Sequence, residues 1–174
     1  MIEHYYNTLG DEEWFDYSQF YKKMCDRFQS GSIFVELGSW KGKSIIYLTV
    51  ETLLQGKDIK IFSVDTWEIG NDTWEIFNKN IKPIKDSINI IKKTTFDASQ
   101  DFEDGSIDFL FIDADHSYEG VKSDLERWYP KVKSGGIISG HDYFHTDFGV
   151  RKAVDEFFTK NSIIIEGSCW CVTK

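Results

Sequence analysis

The stretch from Ile33 to Ser44, IFVELGSWKGKS, constrains the fold of this chain more than any other. It opens as a short apolar run ending in Glu36, continues as a loop with Gly38 and Gly42, and passes into the helical run SIIYLTVETLLQ. Strand, glycine turn and helix in this order set backbone N–H groups and a helix N-terminus beside one crevice, where a polar ligand can lie against the main chain. Glycine alone is also what a tight structural turn requires, so the loop by itself does not separate a ligand site from a plain turn. A phosphate loop needs four residues between its first glycine and the Gly-Lys pair. Gly38 and Gly42 enclose only Ser39, Trp40 and Lys41. Glu36 would repel phosphates, whereas the ammonium and ribose hydroxyls of an adenosyl ligand want acceptors. Spacing and charge favour the adenosyl ligand.

A length of 174 residues suits one domain with a single well-buried core. We expect one domain over 1–174, with a helical cap over 1–30 and a cofactor-binding core over 31–174. The formal charge of -9 argues against a nucleic-acid backbone or an anionic membrane as partner. Cys25, Cys169 and Cys171 are odd in number and poorly spaced for zinc. The last two are expected to point to opposite faces of a strand and to pack as small hydrophobes. With no signal peptide and no apolar run long enough to span a bilayer, a cytoplasmic setting is expected.

Along the chain, DEEWFDYSQFYKKMCDRF (11–28) spaces its aromatic residues as an amphipathic helix would. Such a helix covers an edge of the core, or forms a lid or wall of a substrate pocket. Its aromatic residues would also make a homodimer surface if exposed. Ile59 to Val64 reads as a second buried strand ending at Asp65. An acid there can accept bonds from both ribose hydroxyls, or simply cap the following turn. A helix near 74–80 and a strand at 88–92 follow, and the loop carrying Thr94, Thr95 and Asp97 lies where an adenine base would be flanked.

The segment IDFLFIDADH (107–116) is the second strong signal. A buried strand runs directly into Asp113, Asp115 and His116. A helix over 118–132 follows, then a turn at Gly135 and Gly136, and a strand that ends at His141, Asp142 and Tyr143. Two strand ends thus each bring an acid and an imidazole to one rim. Such a set can bind a divalent cation and can supply a general base near neutral pH. Asp115 and His145 read instead as a helix cap and a structural histidine. A helix over 149–159 and two short runs, SIIIEG and CWCVT, close the chain as a hairpin pair. The alternation of strands and helices predicts an α/β fold with a sheet of mixed direction.

On these residues the chain resembles a class I S-adenosylmethionine-dependent methyltransferase. More narrowly, it is similar to the small family that includes the macrolide-sugar O-methyltransferases. The matching blocks are VELGSWKGKS, the acid of FSVDTW, DGSIDFLFIDADHSYEGVKSDLERWYPKVKSGGIISGHDY and GVRKAVDEFF. The resemblance implies a Rossmann-like, doubly wound, mostly parallel seven-stranded sheet with an antiparallel C-terminal hairpin. It implies that Glu36 and the loop from Gly38 through Ser39 and Trp40 to Gly42 hold the amino-acid part of S-adenosylmethionine, and that Asp65 holds the ribose. Ser44, Thr66, Thr95 and Asp113 complete the expected cofactor contacts. It further implies Mg2+ at Asp113, His141 and Asp142, and a catalytic pair of Asp113 and His116, the latter as base toward a sugar or phenolic hydroxyl. The chain departs from the catechol-type Asp-Asn pair, having Asp142 followed by Tyr143.

Three other functions fit parts of the sequence. A nucleotide-dependent phosphotransferase would use Lys43, Ser44 and Asp113. A nicotinamide oxidoreductase would need a third glycine in the loop. A non-catalytic adenosyl-binding module would bind the cofactor and transfer nothing.

Overall fold

The computed structural model describes residues 2–10 and 14–174. Its centre is a seven-stranded sheet in the order β3-β2-β1-β4-β5-β7-β6. The strands are β1 (Ile33–Leu37), β2 (Lys60–Asp65), β3 (Ile88–Lys92), β4 (Ile107–Ile112), β5 (Val132–Gly140), β6 (Ile164–Glu166) and β7 (Cys169–Thr173). The first five pair in parallel, while β7 runs antiparallel between β5 and β6. Between them lie α1 (Ser18–Arg27), α2 (Lys43–Leu54), α3 (Thr73–Asn80), the single turn α4 (Thr95–Ala98), α5 (Tyr118–Trp128) and α6 (Val150–Phe157). The strand order reverses between β1 and β4, and in such sheets the ligand crevice opens outside the carboxyl ends at that point.

The central strands are buried on both faces and read as unbroken apolar runs. Side chains alternate between two layers with the strand period of two. Phe34, Phe109 and Phe111 join Tyr21, Ile45 and Phe77 in one core. Val35, Leu37, Leu110 and Ile112 join Val121, Trp128 and Val154 in the other. Cys169 and Cys171 both belong to the first core. The expectation of opposite faces is therefore corrected, because residues two apart in a strand share a face. All three cysteines are buried free thiols.

Several boundaries move for local reasons. Helix α5 stops at Trp128 because Pro130 follows in a short 3-10 turn, rather than running on to Val132. Gly135 and Gly136 lie inside β5, where the register against β4 shifts, instead of preceding the strand. The expected N-terminal helix from Asp11 falls partly on residues outside those described, and α1 begins only at Ser18. Its aromatic face is turned into the chain's own core through Phe20 and Tyr21. Trp14 remains an exposed aromatic of that segment. Among the described residues, no helix is long and apolar enough to cross a membrane.

Candidate functional site

The loop after β1 is built to press against the end of β4. The Leu37 carbonyl accepts the Asp113 N–H at 2.8 Å, and Gly38 N–H donates to Val64 O at 2.8 Å. Gly38 has φ +84°; a Cβ there would overlap the Asp113 carbonyl and lie 2.7 Å from Ala114 Cα. Gly42, at φ +89°, caps α2 and would place a Cβ 3.0 Å from the Phe77 ring. Both positions need glycine for conformation and for space.

Glu36 shares its face with Phe34, so it lies beneath the loop and is fully buried. Ser39 Oγ and Ser44 Oγ donate to its Oε1 at 2.7 and 3.0 Å, and Tyr21 OH donates to Oε2 at 2.5 Å. The Ser63 hydroxyl donates to Ser39 Oγ at 2.7 Å. Burial pushes the Glu36 carboxyl up to about 7, against the opposing effect of the three hydroxyl donors. The native state thus holds this proton more tightly than the unfolded chain. Its stabilising contribution is present below the ordinary value of 4.5 and is lost as pH rises through about 7. Glu36→Gln is expected to remove that dependence. Melting temperatures taken at pH 5 and pH 8 should show the variant gaining on the wild type at the higher pH. A constant difference between the two proteins would show that Glu36 does not titrate in this range.

Asp65 holds the loop from the β2 side. Its Oδ2 accepts Trp40 N–H at 2.8 Å and its Oδ1 accepts Trp67 N–H at 2.7 Å. A carboxylate offers about four acceptor sites, so capacity remains for hydroxyl donors of a ligand. Trp67 Nε1 donates to the Trp40 carbonyl at 2.8 Å, and the Trp40 ring stacks on Trp14 at 4.7 Å. Thr66 sits half-buried between Asp65 and Trp67. Thr95 opens α4, and its carbonyl accepts Trp128 Nε1–H at 3.1 Å. Its carbonyl thus ties α4 to α5.

The second half of the site gathers at the ends of β4 and β5. His116 Nε2 lies 3.1 Å from Asp113 Oδ1 and 3.3 Å from Asp142 Oδ2. His141 Nδ1 lies 3.7 Å from Asp113 Oδ1 and 3.3 Å from Asp142 Oδ1. Asp113, His141 and Asp142 each offer a ligand atom, and these atoms lie within 4.8 Å of one another. Two carboxylates and an imidazole form a donor set that suits a divalent cation accepting mixed oxygen and nitrogen ligands. The hydrogen bond to Asp113 raises the pKa of His116, with burial opposing and the carboxylates of Asp113 and Asp142 assisting. Burial works against charge on His141, but its bond to Asp142 and the nearby carboxylates outweigh it and bring its pKa to about 9. Asp142 is lowered: burial opposes its charge, and His141, His116 and His145 more than compensate.

Among the described residues, the non-glycine positions with positive φ are Trp40, Trp67 and Asp142. They stand on the loops that leave β1, β2 and β5, all on one rim. Backbone strain of this kind collects where function fixes a conformation. Asp115 accepts the Ser117 N–H at 2.8 Å, while Ser117 itself caps α5 through Gly120 N–H. His145 stacks on Phe148 at 3.9 Å, and Phe148 stacks in turn on His116 at 4.6 Å.

Sequence reasoning passed over Asp16, Tyr17 and Tyr21 as site residues. Tyr17 OH donates to Asp113 Oδ2 at 3.0 Å, and Asp16 Oδ1 lies 3.1 Å from His141 Nε2. The partners stand 96 and 125 residues apart in the chain, so no local pattern could have joined them.

Residues 35–143 match the model of the family described as "Methyltransferase domain". Two curated relatives are each 30% identical to this chain. An uncharacterised protein of Sinorhizobium fredii matches over 115 residues, 62% of this chain and 13% of its own length. Another, of Acanthamoeba polyphaga mimivirus, matches over 130 residues, 70% of this chain and 57% of its own. The chain therefore spans a small part of the first relative and just over half of the second. Among solved structures, the O-methyltransferase NovP superposes with a TM-score of 0.71 at 17% identity, over 90% of this chain and 78% of that one. An O-methyltransferase from Bacillus cereus, in complex with S-adenosylhomocysteine, gives 0.70 at 16% identity, over 97% and 86%. A Clostridium thermocellum protein described as a candidate rRNA methylase gives 0.66 at 16%, over 90% and 95%. At these identities the likeness is one of fold.

Proposed function

Because this chain belongs to the methyltransferase-domain family, we propose that it methylates a hydroxyl oxygen of a small-molecule acceptor, a sugar or a phenol, with assistance from a divalent cation. The observation that carries this reading is the cluster of Asp113, His116, His141 and Asp142 beside the glycine loop, at the point where the strand order reverses. The rim is rich in acceptors and suits a ligand bearing ammonium and hydroxyl donors.

S-adenosylmethionine, when bound, supplies the methyl group: its C–S bond breaks as the O–C bond forms, and a neutral thioether leaves. The chain's task is alignment and proton management. The loop from Gly38 through Ser39 and Trp40 to Gly42, supported from below by Glu36 and Ser44, receives the amino-acid end. Asp65 takes the ribose hydroxyls, with Thr66 and Thr95 on the base side. Asp113, His141 and Asp142 would hold the cation, which acts as a Lewis acid and template for the acceptor hydroxyl. His116 takes the hydroxyl proton onto its ring. Asp113 and Asp142 favour its charged form, so its capacity to accept a proton grows as pH rises through its raised pKa. The net charge of -9 supports an uncharged or cationic acceptor over a nucleic acid.

The test is transfer of label from methyl-labelled S-adenosylmethionine to a panel of sugars and phenols, with Mg2+ or Mn2+ present and after chelation. Label is expected in at least one hydroxyl acceptor, falling by about tenfold or more on chelation. Cofactor binding without transfer to any acceptor would favour the non-catalytic module.

A further inference from the structure

The segment just before α1 crosses the ends of three parallel strands. Trp14 stacks on Trp40 beyond β1, Tyr17 reaches Asp113 beyond β4, and Asp16 reaches His141 beyond β5. The second and third of these contacts select which atoms of the cluster face one another. His141 has Asp16 Oδ1 at its Nε2, 3.1 Å away, while its Nδ1 faces Asp113 and Asp142. Asp16 is itself held by Ser168, whose hydroxyl donates to the same Oδ1 at 2.7 Å. The Tyr17 ring packs against the His141 ring at 4.7 Å. Its hydroxyl occupies Asp113 Oδ2, so Oδ1 is the oxygen turned toward both histidines.

We propose that Asp16 and Tyr17 are positioning residues of the cation site. Asp16 fixes the Nε2–H form of His141 so that Nδ1 is the donor, and Tyr17 directs Asp113 Oδ1 inward. The inference rests on the cation-assisted reading above. A carboxylate on the far nitrogen of a ligating histidine sets its orientation and raises its basicity, and loss of such a partner typically costs about 10–100-fold in metal affinity. Neither residue touches the proposed cofactor loop through these bonds, so cofactor affinity should be separable from cation affinity.

The test is calorimetric titration of the full chain with Mn2+, for wild type, Asp16→Ala, Asp16→Asn and Tyr17→Phe, with S-adenosylhomocysteine titrated in parallel. Asp16→Ala is expected to weaken Mn2+ by about 10–100-fold, and Asp16→Asn by less, because its amide oxygen still accepts the Nε2–H. Tyr17→Phe keeps the ring packing and should weaken Mn2+ to a smaller degree. S-adenosylhomocysteine affinity should stay unchanged in all three variants, which also reports that they fold. Wild-type Mn2+ affinity retained in Asp16→Ala would overturn the positioning role and leave the cation site standing. No Mn2+ binding by the wild type would overturn both.

Discussion

Gly38→Ala is expected to cost about 2–5 kcal/mol of stability, combining a left-handed backbone with overpacking against main chain, and to abolish binding of S-adenosylhomocysteine. The new Cβ would meet the Asp113 carbonyl and Ala114 Cα, and neither is the movable end of a side chain. The loop and the end of β4 would have to separate, and that junction is the floor of the proposed cofactor crevice. Thermal unfolding should therefore shift downward by roughly 10 °C. Gly31 is the matched control. It has φ +88° but nothing within 4 Å of an added Cβ, so Gly31→Ala pays the backbone term alone. Equal melting temperatures for the two variants would show that close approach at Gly38 contributes nothing.

His116→Ala is expected to reduce turnover by about 10²–10⁴-fold, the usual worth of a positioned general base, with S-adenosylhomocysteine affinity unchanged. Among the described residues, the His116 side chain meets Asp113, Asp142 and Phe148, none of them in the glycine loop. A loss confined to cofactor affinity would move His116 into the cofactor site. Normal turnover would mean that another group takes the proton.

Much of this was readable in the chain because the signals are local. The strands stand out as buried runs, and a carboxylate directly after such a run, as at Asp65 and Asp113, has to face the rim. Parity along a strand was equally available; it was misapplied at Cys169 and Cys171 and left unused at Glu36. Two-residue spacing puts Glu36 on the same face as Phe34, under the loop, and puts Cys169 with Cys171. Other features had no local signature. Aromatic spacing from Asp11 to Phe28 suggested one continuous helix, yet Trp14, Asp16 and Tyr17 are drawn to Trp40, His141 and Asp113 instead. Tertiary contacts outweighed helix propensity there, and propensity is a weak constraint when such partners exist.

The most direct test of the central claim is calorimetric titration of the wild-type protein with S-adenosylhomocysteine, with ATP as the control ligand. The account predicts saturable one-to-one binding of S-adenosylhomocysteine with a dissociation constant on the order of micromolar, and none of ATP. Binding of ATP in place of S-adenosylhomocysteine would contradict it, and the loop from Gly38 to Gly42 would then be a phosphate site.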